Sequence, residues 1–191
     1  QQVIVVAKHL CGAGTDLALK SLARYSGSID ACVMACCCHG VCSWQNYVGR
    51  DFLISALGFC NKHEFDLMLR WTTGTTYKDQ KHIEDPKEDN DDEEVDIEHG
   101  TPGSTNTQLS GFPNATSIVK ALQLKCGIRG FGRACQRLID HGRVEYMNEF
   151  LNKKSFLDHK RNFKTRMFHY IEESVTPQNL LLSAHITKGE I

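Results

Sequence analysis

Short apolar runs separated by polar turns mark the beginning of the chain. The β-branched run at residues 3–7 and the apolar run at residues 29–35 each predict a strand that is buried on both faces. Between them, Thr15 or Asp16 is expected to cap a helix that reaches about Tyr25. The pattern therefore predicts a strand–helix–strand unit.

The rest of the chain continues this alternation of helices and strands. Helices are predicted at residues 51–57, 115–125, 132–147 and 156–173, and strands at residues 64–71 and 179–186. Gly142 is expected to weaken or end the helix that contains it. Strands that alternate with helices across short turns favour an α/β fold with a mostly parallel sheet.

Charge is distributed unevenly, although the formal net charge of the 191 residues is only −1. Residues 78–98 contain eleven acidic and three basic side chains, a net charge of −8, and no aromatic residue. Such a segment cannot bury enough apolar surface to offset the entropy of ordering. We therefore expect a disordered insertion at residues 78–114, which divides one folded domain into a first part at 1–77 and a second part at 115–191. The remaining chain carries +7, which permits a polyanionic partner.

Cysteine usage indicates a reducing environment. The chain has nine cysteines, three of them consecutive at residues 36–38, where disulfide geometry between neighbours is rarely reached. With no secretory signal visible, we expect an intracellular protein of the cytoplasm, the nucleus or both. No apolar run approaches the roughly 18–20 residues of a membrane helix. Because a strand follows directly after Gln1, we expect the chain to be cut from a longer protein.

Two chemically dense segments, residues 8–12 and 36–42, each follow a predicted strand directly. Ligands of open α/β sheets bind at the carboxyl ends of strands, so we expect a site there. Lys8 supplies a cation and His9 an imidazole, which together could bind a phosphate or orient a hydroxyl. The alternative is an ordinary strand–turn–helix corner that happens to be polar.

The second segment also contains residue types that bind metals. Cys38 and Cys42 are spaced as zinc ligands are, His39 is adjacent, and Cys11 could approach from the neighbouring strand. Against this interpretation, the chain has no second pair of ligands at such spacing, and buried cysteines at strand ends are ordinary packing residues. A catalytic thiolate is a further alternative, although no Asp or Asn partner is identifiable.

Aromatic and basic residues leave the question of nucleic-acid binding open. Trp44, Tyr47 and Trp71 could stack on bases, but they could equally be packing residues. The basic stretch at residues 153–166 could follow a phosphate backbone, and a solvated helix face explains it as well. No glycine-rich dinucleotide fingerprint follows a predicted strand.

Three ordered motifs resemble those of the eukaryotic tRNA:m(4)X modification enzymes. The motifs are KHLCG with TDL at residues 8–12 and 15–17, CCHGVCSW with YVG at 37–44 and 47–49, and GR with LIDHGRVEY at 132–133 and 138–146. The closing run PQNLLL at residues 177–182 is similar to the last strand of that family. One departure is Gly40, at a position where the family usually has a second histidine.

The resemblance implies a methyltransferase that uses S-adenosylmethionine and methylates the ribose 2′-hydroxyl at position 4 of the tRNA acceptor stem. It implies a Rossmann-like fold, of which this chain is the C-terminal half. The glycine-rich cofactor loop and the zinc-finger modules of the family would lie upstream, so zinc is expected in the longer protein and not in this chain.

The resemblance also implies roles for individual residues. Lys8 would orient the hydroxyl, and His9 or His39 would accept its proton. The residues expected to contact the cofactor are Cys11, Gly12, Cys37 and Cys38, and those expected to contact RNA are Trp44, Tyr47 and Arg143. Two rivals remain: a non-catalytic module that binds zinc through Cys38, His39 and Cys42, and an RNA-binding domain without activity.

Overall fold

The computed structural model describes residues 2–59, 61–73, 115–155, 162–176 and 178–187. The predicted acidic insertion at residues 78–114 lies outside these ranges. The described elements, in chain order, are β1 (Ile4–Lys8), α1 (Ala13–Arg24), β2 (Ala31–Ala35), α2 (Arg50–Leu57), α3 (Lys62–Trp71), α4 (Ala115–Ala121), α5 (Gly127–Ser155), β3 (Asn162–His169) and β4 (Leu180–Thr187).

The four described strands form one mixed sheet in the order β1-β2-β4-β3. Strands β1 and β2 are parallel and connected through α1, as the sequence predicts, but β4 is antiparallel to both of its neighbours, β2 and β3. The prediction of a mostly parallel sheet is therefore wrong. The direction of β4 depends on its pairing with a strand far away in the chain, which no local pattern encodes.

Strand β1 is an edge strand in the described part of the sheet and is not buried on both faces as predicted. Val5 and Ala7 pack against the core, whereas Ile4 and Val6 are 63% and 74% exposed. The continuous apolar run therefore does not correspond to two covered faces here. The strand itself is confirmed, shifted by one residue to Ile4–Lys8.

Helix α5 lies at the centre of the fold. Its second half packs on the sheet and α1, where Val144, Met147 and Leu151 are buried beside residues of β2, β3 and β4. Its first half carries Cys135 and Ile139 into a second cluster with the side chains of α2 and α3. One helix thus joins the two cores, and each end of it is covered by a different set of elements.

Two predictions of element type are wrong. The segment predicted as a strand at residues 64–71 is helix α3, which begins where the Asn61 side chain accepts hydrogen bonds from the backbone N–H groups of His63 and Glu64. Its buried residues Phe65, Met68 and Leu69 are three and one positions apart, which is the spacing of a helix face.

The second error is the helix predicted over residues 156–173. Residues 162–169 form β3, in which Phe163, Thr165 and Met167 alternate with exposed neighbours. This period of two is the pattern of a strand with one covered face. The helix was predicted from the basic side chains, but Lys164 and Arg166 occupy exposed positions of a strand.

Gly142 does not end the helix that contains it, contrary to the prediction. Helix α5 continues through it, and the absence of a side chain lets the buried Tyr47 and the backbone of Gly49 approach. The Tyr47 hydroxyl, which donates a 2.8 Å hydrogen bond to the Ile139 carbonyl, lies only 2.1 Å from where a Cβ at position 142 would be. Gly142 is therefore a packing residue.

We predict that Gly142→Ala destabilises the protein by about 1–3 kcal/mol, because forcing the buried Tyr47 ring to move outweighs the ~1 kcal/mol that Ala gains over Gly in a helix. Urea unfolding measures the difference. Gly14→Ala in α1 is the matched control, since its nearest contact would be at 3.7 Å. It should be neutral or stabilising, and a Gly142→Ala protein of undiminished stability would contradict the packing role.

Candidate active site at the strand ends

The parallel register of β1 and β2 brings the two chemically dense segments together. Lys8 pairs with Ala35 at the carboxyl ends of the strands, so the chain leaves both strands on the same side of the sheet. The Cys11 and Cys37 sulfur atoms lie 3.5 Å apart just beyond this point. The predicted meeting of the two segments at one edge of the sheet is confirmed.

Gly12 is the point of closest approach between the two turns. It is buried, its φ of +53° is in the left-handed region, and a Cβ there would lie 2.3 Å from the Val41 carbonyl oxygen. Only glycine fits both the backbone conformation and the space. The turn after β1 is therefore fixed against the turn after β2.

Lys8, His9 and three thiols form the exposed surface of this site. Lys8, His9, Cys11 and Cys38 are exposed and Cys37 is partly exposed. Burial, with hydrogen bonds to its neighbouring thiols, raises the pKa of Cys37 to about 12, so this thiol is protonated near neutral pH. The surface thus presents one lysine, one imidazole and three thiols, of which Cys37 is uncharged.

A buried ion network lies directly beneath this surface. Arg143 of α5 is fully buried, and its guanidinium donates to both carboxylate oxygens of Asp16 at 2.8 and 3.2 Å and to Asp140 at 2.9 Å. It also donates to the Gly12 carbonyl at 3.3 Å and to the Cys42 sulfur at 3.2 Å. Arg143 therefore ties α5 to α1 and to both strand-end turns.

The network also determines ionisation states. Burial alone would lower the pKa of Arg143, but the hydrogen bonds and charges of Asp16 and Asp140 raise it well above the usual value. For Cys42 the effect of burial has the opposite sign: it raises the pKa of the thiol to about 11, although Arg143 acts to lower it. These interactions thus keep Arg143 and Asp140 charged, while Cys42 stays a neutral thiol.

His39 belongs to the same network. It is 3% exposed, and its Nε2 lies 2.8 Å from the Asp140 Oδ2. Burial would raise the pKa of Asp140, but the interactions with His39 and Arg143 outweigh it and hold that pKa below its usual range. The His39 Nδ1 atom is buried without a hydrogen-bond partner. His39 lies below the surface and does not reach it.

Two of the residues predicted to contact RNA are structural. Tyr47 and Arg143 are 0% exposed, and the Tyr47 ring stacks on Phe65 with centroids 4.9 Å apart. Because neither side chain is accessible, the predicted contacts of Tyr47 and Arg143 with RNA do not fit the structure. Trp44 is half-buried beside Phe65 with the Arg50 guanidinium 5.9 Å from its ring, so it alone of the three retains an accessible edge.

The metal-ligand set Cys38, His39 and Cys42 is not assembled. Cys38 points to the exposed thiol surface, whereas His39 and Cys42 are buried and bonded to Asp140 and Arg143. The zinc-module rival built on these three residues therefore does not fit the geometry. Position 40 has room for a side chain, since a Cβ at Gly40 would meet its nearest neighbour, the Thr72 hydroxyl, at 3.7 Å.

Sequence reasoning missed the acidic partners Asp16 and Asp140 and a basic surface on α5. Asp140 lies three residues before Arg143 on the same helix, a spacing that the sequence shows, whereas the pairing of Asp16 with Arg143 spans 127 residues and leaves no local trace. The basic surface is visible in the sequence as a four-residue repeat along one helix face. We call it the α5 basic stripe; it consists of Arg129, Arg133, Arg137 and His141.

None of the helices in the described ranges combines the length and the apolar composition needed to cross a bilayer.

An α/β domain whose polar residues gather at the carboxyl ends of parallel strands belongs to the broad class that binds ligands at that edge. Comparison with known proteins narrows this class. The sequence model of the family described as methyltransferase TRM13 matches residues 1–185, and the chain belongs to that family.

Individual relatives agree with the family assignment. The chain is 24% identical to the human tRNA:m(4)X modification enzyme TRM13 homolog, with 95% of this chain and 44% of the human protein aligned. It is 30% identical to the Debaryomyces hansenii tRNA:m(4)X modification enzyme TRM13, over 95% of this chain and 34% of that protein. The chain thus spans less than half the length of these relatives. No solved structure matches it.

We predict that Arg143→Met lowers the free energy of unfolding by about 3–5 kcal/mol, because it leaves two buried carboxylates without their partner. Thermal or urea unfolding measures the loss. Arg137→Met on the exposed side of the same helix is the control and should change stability by no more than about 0.5 kcal/mol. Equal stability of the two variants would contradict the role of Arg143 as the central tie.

Proposed function

We propose that this chain carries the strand-end part of a tRNA methyltransferase that uses S-adenosylmethionine and methylates a ribose 2′-hydroxyl at position 4 of the acceptor stem. The observation that carries the proposal is the convergence of Lys8, His9 and the thiols at the ends of β1 and β2, in a chain of the TRM13 methyltransferase family. A reducing intracellular compartment, cytoplasm or nucleus, is part of the same proposal.

The proposed fold is the C-terminal half of a Rossmann-like sheet. Strands β1 and β2 with α1 between them form one parallel βαβ unit, the building block of such sheets. The family likeness and this unit support the assignment. In Rossmann-like sheets the cofactor lies outside the carboxyl ends of the strands, which is where Lys8 and Cys37 lie here.

The residues at the strand ends fit one part of a sulfonium cofactor. S-Adenosylmethionine would supply a methyl group on a positively charged sulfur. The protonated Cys37 thiol carries no charge, and the left-handed backbone at Gly12 keeps the turn compact enough for close approach. We assign Cys11, Gly12, Cys37 and Cys38 to this contact.

The reacting hydroxyl must be oriented and must lose its proton as the new bond forms. Lys8 is the exposed cation at the end of β1, so we assign it to orient the hydroxyl and its neighbouring phosphate. Of the two candidate proton acceptors, His9 is exposed and His39 is buried against Asp140, so His9 is the one that can reach a hydroxyl. We assign proton acceptance to His9.

We predict that Lys8→Ala lowers the methylation rate about 100-fold, with a much smaller effect on tRNA affinity, because orientation acts in the transition state. Methyl transfer from labelled cofactor and a separate tRNA-binding titration measure the two effects, using the protein from its complete reading frame. Lys20→Ala on α1 is the control. Lost tRNA binding with unchanged turnover would contradict the role, and tRNA binding without methyl transfer in the wild type would favour the RNA-binding rival.

The proposed tRNA surface is the α5 basic stripe. Its members recur every four residues and, at 1.5 Å per residue, extend over roughly 18 Å of the helix. Burial and the neighbouring charges of Arg137 and Arg129 lower the pKa of Arg133, which shows how closely the cations are crowded. A polyanion relieves this repulsion, so phosphates are the expected ligands.

An open groove runs beside the stripe. It encloses about 570 Å³ between α5 and β3 and is lined by Arg133, Arg137 and His141 together with Met167. Arg133 is paired with Glu173 and Arg137 with His169 at 3.2 Å, so both are held in place at its edge. We therefore propose that Arg133, Arg137 and His141 bind RNA in place of Tyr47 and Arg143, and we retain Trp44 as an RNA-binding residue.

We predict that Arg137→Ala weakens tRNA binding several-fold and reduces the slope of log affinity against log salt concentration by about 1, because one phosphate contact is lost. Titrations at several salt concentrations measure both quantities. Arg24→Ala at the end of α1 is the control, with an unchanged slope. A loss of affinity with an unchanged slope would contradict a direct phosphate contact.

A further inference from the structure

Three sulfur atoms from two strand-end turns converge at the surface of the site. The ligand atoms of Cys11, Cys37 and Cys38 all lie within 4.8 Å of one another, and the Cys11 and Cys37 sulfurs are 3.5 Å apart. Among the described residues, this is the group of three or more Cys, His, Asp or Glu side chains compact enough to surround one ion.

The backbone is bent unusually to achieve this convergence. Neighbouring side chains normally point apart, but Cys38 has a φ of +45°, which turns its sulfur back toward that of Cys37. His9, just before the turn that carries Cys11, has a φ of +62°. Left-handed conformations of residues other than glycine are strained, and such residues cluster at functional sites.

The spacing matches that of a thiolate metal site. With a Zn–S distance of about 2.3 Å, tetrahedral geometry places two sulfur ligands about 3.8 Å apart. The observed separations, from 3.5 Å to at most 4.8 Å, require only small side-chain adjustments to reach this value. Three sulfur ligands favour a borderline or soft ion such as Zn²⁺ over a hard ion such as Mg²⁺.

The geometry points to a tri-thiolate site formed by Cys11, Cys37 and Cys38 that binds one thiophilic divalent cation of the Zn²⁺ class. On binding, each thiol loses its proton to solvent and three S–metal bonds form, with no change of oxidation state. Three thiol ligands would leave a fourth tetrahedral position for water or another ligand. Three protein ligands with one open position is the arrangement of an accessible metal site and not of a closed structural one.

The three thiols are also the ones assigned above to the cofactor, so a bound cation and the cofactor would compete for them. Cation binding is measured without cofactor or tRNA, so failure of the cation site and failure of the proposed function are distinguishable. The tri-thiolate site differs from the Cys38–His39–Cys42 set, two members of which are buried and otherwise bonded. A Cys11–Cys37 disulfide is the competing state of the same thiols. It would shorten the 3.5 Å sulfur separation to about 2.05 Å and remove two ligands.

The test is titration of the reduced 191-residue chain with Co²⁺, a spectroscopic substitute for Zn²⁺, followed by displacement with Zn²⁺. We expect one equivalent to bind with a near-ultraviolet thiolate-to-cobalt absorption band. The variants are Cys11→Ser, Cys37→Ser and Cys38→Ser. Cys126→Ser is the control, because Cys126 is also a free, exposed cysteine but lies just before α5 and is not one of the three ligands. Circular dichroism verifies that each variant folds, and Cys38→Ala serves as the second substitution of an exposed ligand.

Each of the three ligand variants should weaken Co²⁺ binding about 100-fold or more and reduce the charge-transfer band, while Cys126→Ser retains both. The proposal is overturned if the folded wild type binds no stoichiometric Co²⁺ or Zn²⁺, or if binding survives all three substitutions. Mass spectrometry that finds a Cys11–Cys37 disulfide persisting under reducing conditions would overturn it as well.

Discussion

The structure depends on one buried cation. Arg143 is fully buried, and it is stabilised because Asp16, Asp140 and the Gly12 carbonyl surround its guanidinium. An unpaired buried charge is strongly unfavourable, so the helices that supply these partners have to meet in one arrangement. The same contacts that neutralise Arg143 therefore fix where the turns after β1 and β2 lie.

This constraint produces a site with two layers. The lower layer is charged and buried, with Arg143, the two aspartates and His39 bonded to one another. The upper layer is exposed and carries Lys8, His9 and the thiols on turns whose positions the lower layer determines. A surface held in place in this way loses little conformational entropy when a ligand binds.

Most of the local structure could be predicted from the sequence, and the long-range part could not. β-branched runs and strand-end polar residues are local features of the sequence, and the elements they indicate are present. Helix α3 was predicted as a strand because its segment is rich in apolar residues, and strand β3 was predicted as a helix because its segment is rich in basic residues. In both segments the spacing of the apolar residues, three to four in α3 and two in β3, indicates the correct element. The antiparallel direction of β4 and the pairing of Arg143 with Asp16 join residues more than a hundred positions apart, so no short pattern contains them.

The most direct test of the account is the position of the methyl group on tRNA after reaction with the protein from its complete reading frame. A 2′-O-methyl group blocks alkaline cleavage of the adjacent phosphodiester, so hydrolysis followed by sequencing locates it at single-nucleotide resolution. We expect one alkali-resistant linkage, at position 4 of the acceptor stem. A methyl group on a base, a ribose methyl at another position, or no transfer at all would contradict it.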